Sequence, residues 1–224
     1  MSDSSSANET YQQVRADILT GVLVPGERLQ LAGLAKNYQV SSGVLREVLP
    51  RLVGEGLAKS QPQVGYSVVS ISIEDLLQIT ECRLTIESIA LRQAIEHGDL
   101  GWEARVLAAH HVLSKTTAST DGSMQLVEWI QAHASFHREL LSGCPNERLC
   151  SVAATMRDLT DMYLQWSIRA SHRRDARAEH QALVDAALSR DADQAVRCIT
   201  DHIQRTADHV AVCHHETEGT LTAD

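Results

Sequence analysis

The segment from residue 31 to residue 57 constrains the fold most, because its apolar spacing describes two short helices joined by a tight turn. Leu31 and Leu34 begin the first helix at helical spacing. The second helix has apolar residues three and four positions apart, at Val44, Leu45, Val48, Leu49, Leu52 and Val53. Ser41 precedes it, where a hydroxyl can accept a hydrogen bond from a free backbone N–H. The pattern predicts a helix-turn-helix, and an ordinary pair of packed helices is the alternative.

Further elements are predicted on both sides of this pair. Residues 9–20 have the spacing of an amphipathic helix that ends at Gly21. Residues 57–70 contain two short apolar runs around the stretch QPQVG, the pattern of a β-hairpin. Three helices and a hairpin predict a winged helix-turn-helix domain over residues 9–70. The polar residues 1–8 are expected to be disordered.

From residue 73 onward the sequence is typical of long helices. Six amphipathic segments are predicted at about 74–96, 101–115, 124–142, 146–170, 174–189 and 192–211. Short connections between successive helices favour an antiparallel bundle over residues 73–211. The polar residues 212–224 are expected to form a flexible tail. The predicted fold is therefore mostly α, with a winged helix-turn-helix followed by an all-helical bundle.

The charge of the chain is unevenly distributed. The net charge of −9 argues against a nucleic-acid partner, but residues 1–70 hold equal numbers of basic and acidic side chains. Within residues 36–59 the basic side chains outnumber the acidic ones, and they are Lys36, Arg46, Arg51 and Lys59. This thin basic footprint predicts salt-sensitive DNA binding. No apolar run approaches the roughly 20 residues of a membrane span and no signal peptide is evident, so a cytoplasmic protein without a membrane partner is expected.

One long stretch of the chain resembles the DNA-binding domain of the GntR family of bacterial regulators, and it reads ILTGVLVPGERLQLAGLAKNYQVSSGVLREVLPRLVGEGLAKSQPQVGYSV. The resemblance is strongest over VSSGVLREVLPRLVGEGL. The resemblance implies that the start of the second helix enters the major groove of double-stranded DNA and that the wing tip touches the minor groove. The matching positions are Ser41, Ser42, Gly43, Arg46 and Gly65. Lys36, from the basic footprint, completes the predicted DNA-binding set.

The chemistry of Arg46 agrees with this role. Its guanidinium can make a bidentate contact with guanine or with phosphate, and an ion pair with Glu47 or Glu55 is the alternative. The family commonly has an arginine where Ser42 stands and a basic wing tip where Gln63 stands, so base readout is expected to be weaker or differently specific.

A proline interrupts the second helix. Pro50 cannot donate a backbone hydrogen bond, so it predicts a kink over residues 46–49.

Four of the eleven histidines have a spacing that metal chemistry can use. His133 and His137 are four residues apart, so they lie on one face of a predicted helix. His180 and His202 stand among apolar residues at core-facing spacing. Imidazoles on facing helices of a bundle can converge on a divalent metal. Core or exposed histidines without a metal are the alternative.

Residues 73–211 resemble the FCD ligand-binding domain of the FadR branch of GntR regulators, through the motifs ECRLTIESIALRQAI, HASFHRELLSGCPNERL and AEHQALVDAALSRDADQAVRCITDHI. The resemblance implies a divalent metal held by one acid and three histidines. His137, His180 and His202 match the histidine positions, and His133 stands where an aspartate is usual. Arg83 matches an arginine close to the effector's carboxylate, and a buried pair with Glu87 is the alternative.

The histidine at position 133 changes the expected charge of the site. Four neutral imidazoles around a divalent ion would make the site more positive by one charge than the family's usual site. Such a site would favour zinc or nickel and would attract an anionic ligand more strongly. In the alternative, three histidines hold the ion and His133 lies behind them.

These patterns together predict a homodimeric, metal-containing transcriptional regulator, a repressor whose effector is a small carboxylate and whose operator is near-palindromic. One alternative keeps DNA binding, with a metal that is structural or is itself the signal and with no organic effector. A metal-dependent hydrolase is a third possibility, since three histidines and an open position suit water activation. No acid is evidently placed as its general base, so no enzymatic activity is expected.

Overall fold

A computed structural model describes residues 2–116, 124–169 and 174–221 and divides the chain into two compact units, Met1–Ser72 and Ile73–Asp224. The described part of the first unit holds three helices, α1 (Ser2–Leu19), α2 (Leu31–Asn37) and α3 (Ser42–Gly54). Its three strands are β1 (Arg28–Leu29), β2 (Ala58–Gln61) and β3 (Gly65–Val68). The strands form an antiparallel sheet in the order β1-β3-β2. The predicted helix-turn-helix and hairpin are confirmed, while β1 was not predicted because two residues are too short to show a strand's alternation.

Helix α3 anchors the first unit through its apolar face. Leu45, Val48, Leu49 and Leu52 are fully buried, and α1 packs against α3 with Val14 and Ile18 buried on its own inner face. Each such side chain contributes about 1.5–3 kcal/mol relative to an exposed one. The predicted cap of α3 is also confirmed, because Ser41 Oγ accepts a hydrogen bond from the Val44 backbone N–H at 3.4 Å.

Pro50 lies inside α3, which runs without interruption from Ser42 to Gly54. The proline is exposed, so its ring needs no space in the core. The helix is therefore not ended by Pro50, and the predicted kink over residues 46–49 stays a prediction.

The two segments expected to lack regular structure are helical where the structure describes them. Helix α1 begins at Ser2, because its buried face extends back to Ala7. The last helix continues to Leu221, and its buried face extends through Val210 to Cys213. Residues 2–8, expected to be disordered, thus lie in α1, and residues 212–221, expected to form a flexible tail, lie in the last helix. Residue 1 and residues 222–224 lie outside the described part of the chain.

The described part of the second unit is all-helical. Its helices are α4 (Ile73–His97), α5 (Leu100–Lys115), α6 (Met124–Leu141), α7 (Glu147–Arg169), α8 (Arg177–Leu188) and α9 (Ala192–Leu221). The predicted helices agree with these bounds within a few residues, except that α9 is longer than predicted. The predicted end of α7, at residue 170, lies outside the described residues. Helix α4 packs against α7 and α9, and α5 packs against α6 and α8.

The core of the second unit is built from large side chains contributed by several helices. Trp102 of α5, Phe136 of α6, Leu91 of α4 and Leu183 of α8 are all almost completely buried. This packing fixes the inner faces of α6, α8 and α9, where the candidate metal ligands lie. Among the described helices none combines the length and the apolar character that a membrane crossing requires.

Candidate metal centre and DNA-binding surface

The four predicted histidines come together inside the second unit. His133 and His137 project from α6, His180 from α8 and His202 from α9. All four side chains are buried, and one ring nitrogen of each lies within 4.8 Å of the corresponding nitrogens of the other three. Three helices thus bring four imidazoles to one point, as the sequence pattern predicted for metal ligands.

The hydrogen bonding of these imidazoles fits a metal ion. Both ring nitrogens of His137, and Nε2 of His180, are buried without a hydrogen-bond partner in the described part of the chain. A buried polar atom without a partner costs about 1–3 kcal/mol. A bound divalent cation would satisfy these atoms, and a set of nitrogen donors suits zinc or nickel.

The cluster is also held in the protonation state that a metal needs. Burial lowers the pKa of all four imidazoles, and for His180 the pKa falls to about 3. Neighbouring imidazoles lower the pKa of His133, His137 and His180 further, because two positive rings would repel each other. The rings are therefore neutral near pH 7, and their lone pairs are available to a cation.

A carboxylate holds His202 in a fixed orientation. Glu179 Oε2 lies 2.9 Å from His202 Nδ1, and Arg174 donates a second hydrogen bond to the same oxygen. Burial raises the pKa of Glu179, but the hydrogen bonds from His202 and Arg174 lower it to about 2. The ionised carboxylate fixes Nδ1 as the donor and leaves Nε2 of His202 for a metal.

Aromatic side chains fix the other rings. Trp129 stacks on His133 with ring centroids 4.9 Å apart, and Phe136 meets His137 and His180 edge-on at 5.2 and 5.3 Å. A cavity of about 150 Å³ lies beside the cluster, and its lining includes Trp129, His180 and Arg174. The cavity gives a small ligand space next to one of the histidines.

Arg83 is buried and has a counter-charge within its own helix. Its Nε donates a hydrogen bond to Glu87 Oε1 at 2.6 Å, and Arg157 of α7 donates to Glu87 Oε2. Burial raises the pKa of Glu87, but the two guanidinium groups hold it below its ordinary value. The pair with Glu87 that the sequence offered as the alternative is present. The role of Arg83 in binding an effector stays a prediction.

Sequence reasoning missed a row of polar side chains on α7. Arg157, Asp161 and Gln165 are four residues apart, so they share one helix face, and all three are buried. Asp161 Oδ1 lies 3.9 Å from Nδ1 of His133, and both polar atoms of the Gln165 amide lack a partner in the described residues. Burial, followed by the charge of Asp158, raises the pKa of Asp161 to about 7. Polar residues at core-facing positions of a long helix are the signal that could have revealed this row.

The predicted DNA-binding residues lie on the outside of the first unit. Ser41, Ser42, Gly43 and Arg46 are exposed at the N-terminal end of α3, and Lys36 is exposed in the last turn of α2. Gly65 begins strand β3 with a φ of 96°, which a side chain adopts only with strain. The start of α3 and the tip of the hairpin are thus both free to approach a duplex.

The alternative for Arg46 was an ion pair with Glu47 or Glu55. In the ranges that the structure describes, Arg46 makes no ion pair. Glu55 instead accepts hydrogen bonds from Tyr11 and from Arg15 Nε, the latter at 3.2 Å. Both acceptors are carboxylate oxygens of Glu55, so this acid faces α1.

Two sequence families match the chain. The FCD domain matches residues 78–205, and the family of bacterial regulatory proteins named gntR matches residues 6–68. The uncharacterized HTH-type transcriptional regulator BphR of Paraburkholderia xenovorans is 39% identical over 87% of this chain and 81% of its own length. The HTH-type transcriptional repressor GlaR of Escherichia coli K12 is 34% identical over 86% of this chain and 90% of its own length.

Solved structures share the fold. McbR/YncC of E. coli superposes with a TM-score of 0.79 at 19% identity and covers 95% of this chain and 98% of its own. A putative GntR transcriptional regulator from Rhodococcus sp. RHA1 has a TM-score of 0.76 at 18% identity, over 92% of this chain and 98% of its own. At this level of identity the likeness speaks for the fold alone.

Proposed function

The chain belongs to the gntR family of bacterial regulatory proteins and carries an FCD domain, and from this premise we propose that it is a repressor whose operator binding responds to a small carboxylate bound near a divalent metal. The family and the similar proteins are DNA-binding transcriptional regulators and not enzymes. The repressor assignment is supported by the name of the similar GlaR protein.

The proposal depends most on one observation, the convergence of four buried imidazoles with orphaned ring nitrogens. His133, His137, His180 and His202 would hold the ion, with zinc or nickel preferred by a set of neutral nitrogen donors. The FCD domain is known for metal binding, which supports this assignment. A bound divalent ion would supply positive charge that attracts an anionic ligand.

The effector would bind between the ion and the arginine side chains near it. Glu87 accepts from Nε of Arg83, and a guanidinium has five N–H donors, so the other donors of Arg83 can still bind a carboxylate. The arginines at positions 83 and 157 also lower the pKa of His133 by their charge, which puts both guanidinium groups within electrostatic range of the cluster. A small acid would meet positive charge on both sides.

The exposed start of α3 and the hairpin would contact the operator. Arg46 is the side chain best suited to read a base, because it is exposed and makes no ion pair within the described residues. Lys36, Ser41, Ser42 and Gly43 would contact the backbone or the groove edge nearby, and Gly65 would let the hairpin tip approach the minor groove. A homodimer with two such surfaces would read a near-palindromic operator.

The effector would control DNA binding by favouring one of two conformations. A ligand shifts such an equilibrium only by the difference between its affinities for the two states. Typical coupling free energies of about 1–3 kcal/mol correspond to changes of roughly 5- to 150-fold in affinity. The bound acid is therefore expected to change operator affinity within this range.

A second candidate has the metal as a structural element or as the signal itself, with no organic effector. Four histidine nitrogens can complete a tetrahedral shell without an open position, which is typical of structural zinc. The engagement of Arg83 by Glu87 favours this alternative, because part of the guanidinium is already bound.

Metal analysis and operator titration test the proposal together. Metal content is measured for the purified wild type, His133→Ala and His137→Ala, with His97→Ala as control because His97 is exposed on α4. Both cluster variants are expected to lose metal, while the control retains it. An unchanged metal stoichiometry in both cluster variants would remove the site.

Operator affinity is then followed while small mono- and dicarboxylic acids are added to metal-loaded and to chelator-treated protein. The proposal expects at least one acid to change the affinity of the loaded protein only. If no acid acts and metal removal alone changes the affinity, the second candidate is correct. If the protein binds no DNA fragment from its own genomic neighbourhood at low salt, the operator assignment is wrong.

A further inference from the structure

Two of the four clustered imidazoles have a carboxylate next to Nδ1. Glu179 lies 2.9 Å from Nδ1 of His202, and Asp161 lies 3.9 Å from Nδ1 of His133. The two acids come from different helices, α8 and α7, and each approaches its ring at the same nitrogen. The arrangement at His202 is the familiar carboxylate–histidine pair of metal sites. The arrangement at His133 repeats it at a longer distance.

Asp161 is buried with little charge pairing, which costs free energy unless its carboxylate has a role in the cluster. Its side chain is 7% exposed, and His133 is its only ion-pair partner in the described ranges. The guanidinium one turn earlier on α7, that of Arg157, is directed to Glu87 instead. Burying a carboxylate without full pairing costs several kcal/mol. Such a cost is offset when a cation lies close by.

We infer that Asp161 is a positioning residue of the metal centre, whose carboxylate accepts the hydrogen bond of His133 Nδ1–H and leaves Nε2 of that ring for the ion. The inference rests on the proposed metal site. The 3.9 Å separation must shorten by roughly 1 Å to reach the usual hydrogen-bond range of about 2.7–3.2 Å. Trp129 stacks on the same ring and keeps its plane fixed while this happens.

The charge of the site also follows from this arrangement. Four neutral imidazoles leave the charge of a divalent ion uncompensated. Glu179 is ionised, and a bound cation would favour the ionised form of Asp161, so that the two acids would place negative charge directly behind the ligands. These charges would offset part of the excess positive charge that the four histidines alone led us to expect, and the arginines at positions 83 and 157 would keep the surroundings attractive to an anion. Asp161 therefore contributes to metal affinity without contacting the ion.

The decisive variant is Asp161→Asn, which keeps the shape of the side chain and removes its charge. Dissociation constants for Zn²⁺ are measured by competition with a chromophoric chelator. Loss of a carboxylate behind a ligating histidine lowers metal affinity by roughly 10- to 100-fold. We expect this loss for Asp161→Asn and for Glu179→Gln. Asp208→Asn is the matched control, because Asp208 is an exposed acid of the same unit.

Two further readouts separate positioning from a general structural role. The metal-free Asp161→Asn protein is expected to melt at the same temperature as the wild type or higher, since a poorly paired buried charge has been removed. The visible spectrum of the Co²⁺-loaded protein is expected to change in Asp161→Asn and to stay constant in Asp208→Asn, because the geometry of the ligands alters the metal transitions. Asp161→Ser, which removes the carboxylate in a different shape, should show the same loss of affinity.

The possible outcomes lead to different conclusions. Wild-type affinity and a wild-type Co²⁺ spectrum in Asp161→Asn overturn the inference and leave the metal site intact. Weaker metal binding together with a lower melting temperature of the metal-free variant also overturns it, because Asp161 would then be supporting the fold. A wild-type protein that takes up no metal overturns the proposed function itself, and this is seen before any variant is made.

Discussion

The candidate functional side chains are exposed in the first unit of this regulator and buried in the second. In the first unit, the residues predicted to meet DNA are exposed, and Arg46 makes no ion pair with any described residue. In the second unit, the four histidines, Arg83 and Glu87 are all buried. The first unit thus has an apolar core with a polar outside, and the second has a polar cluster enclosed within an apolar core.

This difference determines what a substitution can change. An exposed side chain without partners contributes little to stability, so its replacement should alter DNA binding alone. A buried charged side chain is paired at a cost in desolvation, so removing its partner should destabilise the unit as well as the site. Function and stability are separable in the first unit and coupled in the second.

The largest effect is expected from acid on the metal-free protein. Burial lowers the pKa of the four clustered histidines below the ordinary 6.5, so below that pH the unfolded chain binds protons that the folded unit excludes. The free energy of unfolding should fall as the pH drops below 6.5, by up to about 1.4 kcal/mol per pH unit for each neutral imidazole. Thermal unfolding of chelator-treated protein between about pH 8 and pH 5 measures this.

Asp161 opposes this trend. Its pKa is raised from 3.8 to about 7, so its stabilising contribution is complete below pH 3.8 and is lost as the pH rises through about 7. One carboxyl group acts against four imidazoles, so the net loss on acidification remains. Residues 1–72 contain no histidine, and hydrogen exchange can follow the two units separately. Constant protection of the second unit across this range would contradict the prediction.

The next largest effect is expected from Glu87→Ala. This change leaves Arg83 and Arg157 buried without their shared acid, and removing one partner of a buried ion pair costs about 3–5 kcal/mol. The melting temperature of the second unit should fall by on the order of 10 °C. Asp193→Ala is the control, because its pair with Arg92 is exposed, and no measurable change is expected. A wild-type melting temperature for Glu87→Ala would show that the polar cluster is not a coupled network.

A smaller effect, and one on DNA binding only, is expected from Arg46→Ala. Loss of a bidentate contact to guanine costs about 1–3 kcal/mol, so operator affinity should fall by roughly 10- to 100-fold while the melting temperature is unchanged. Arg51→Ala is the matched control on the same helix. Its guanidinium lies 3.8 Å from the centre of the Tyr11 ring, so its loss should cost about 0.5–1 kcal/mol of stability and little sequence-specific affinity. If Arg46→Ala instead lowered the melting temperature and Arg51→Ala lowered the operator affinity, Arg46 would be structural.

The smallest effect tests an exception within the first unit. Ser41 is exposed, yet its hydroxyl caps α3, so Ser41→Ala should cost about 1 kcal/mol of stability. Ser42→Ala, one residue later and equally exposed, should leave stability unchanged. Urea unfolding of the two variants makes the comparison. Equal stability of both proteins would mean that the 3.4 Å contact contributes nothing in solution.

The fold was largely predictable because it follows from local spacing. Apolar residues every three or four positions predicted the helices, and the cap at Ser41 was visible as a serine before such a run. The ends of the chain were less predictable. Few apolar residues mark residues 2–8 and 212–221, and whether a helix continues there depends on packing at Ala7 and Cys213.

Spacing marked the four histidines as candidates, because two of them share a helix face and the other two stand at core-facing positions, and the resemblance to the FCD domain selected them as ligands. The pair of Arg83 with Glu87 could be suggested from its spacing of four residues, but the contacts between different helices could not. Glu87 connects Arg83 to Arg157 of another helix, and Asp161 of α7 approaches His133 of α6. These pairs join residues up to 70 positions apart, and no spacing along one helix encodes which acid meets which base.

The sequence alone determined the helices, the winged helix-turn-helix and the residue types that can hold a metal, because each depends on periodicity and side-chain chemistry within a short stretch. Only the tertiary structure decided that Arg83 is already paired, that Arg46 makes no ion pair within the described residues and that a carboxylate lies behind His133. The reason is physical: the charge and hydration around a buried group are set by side chains from other helices, and their arrangement follows from how the bundle packs.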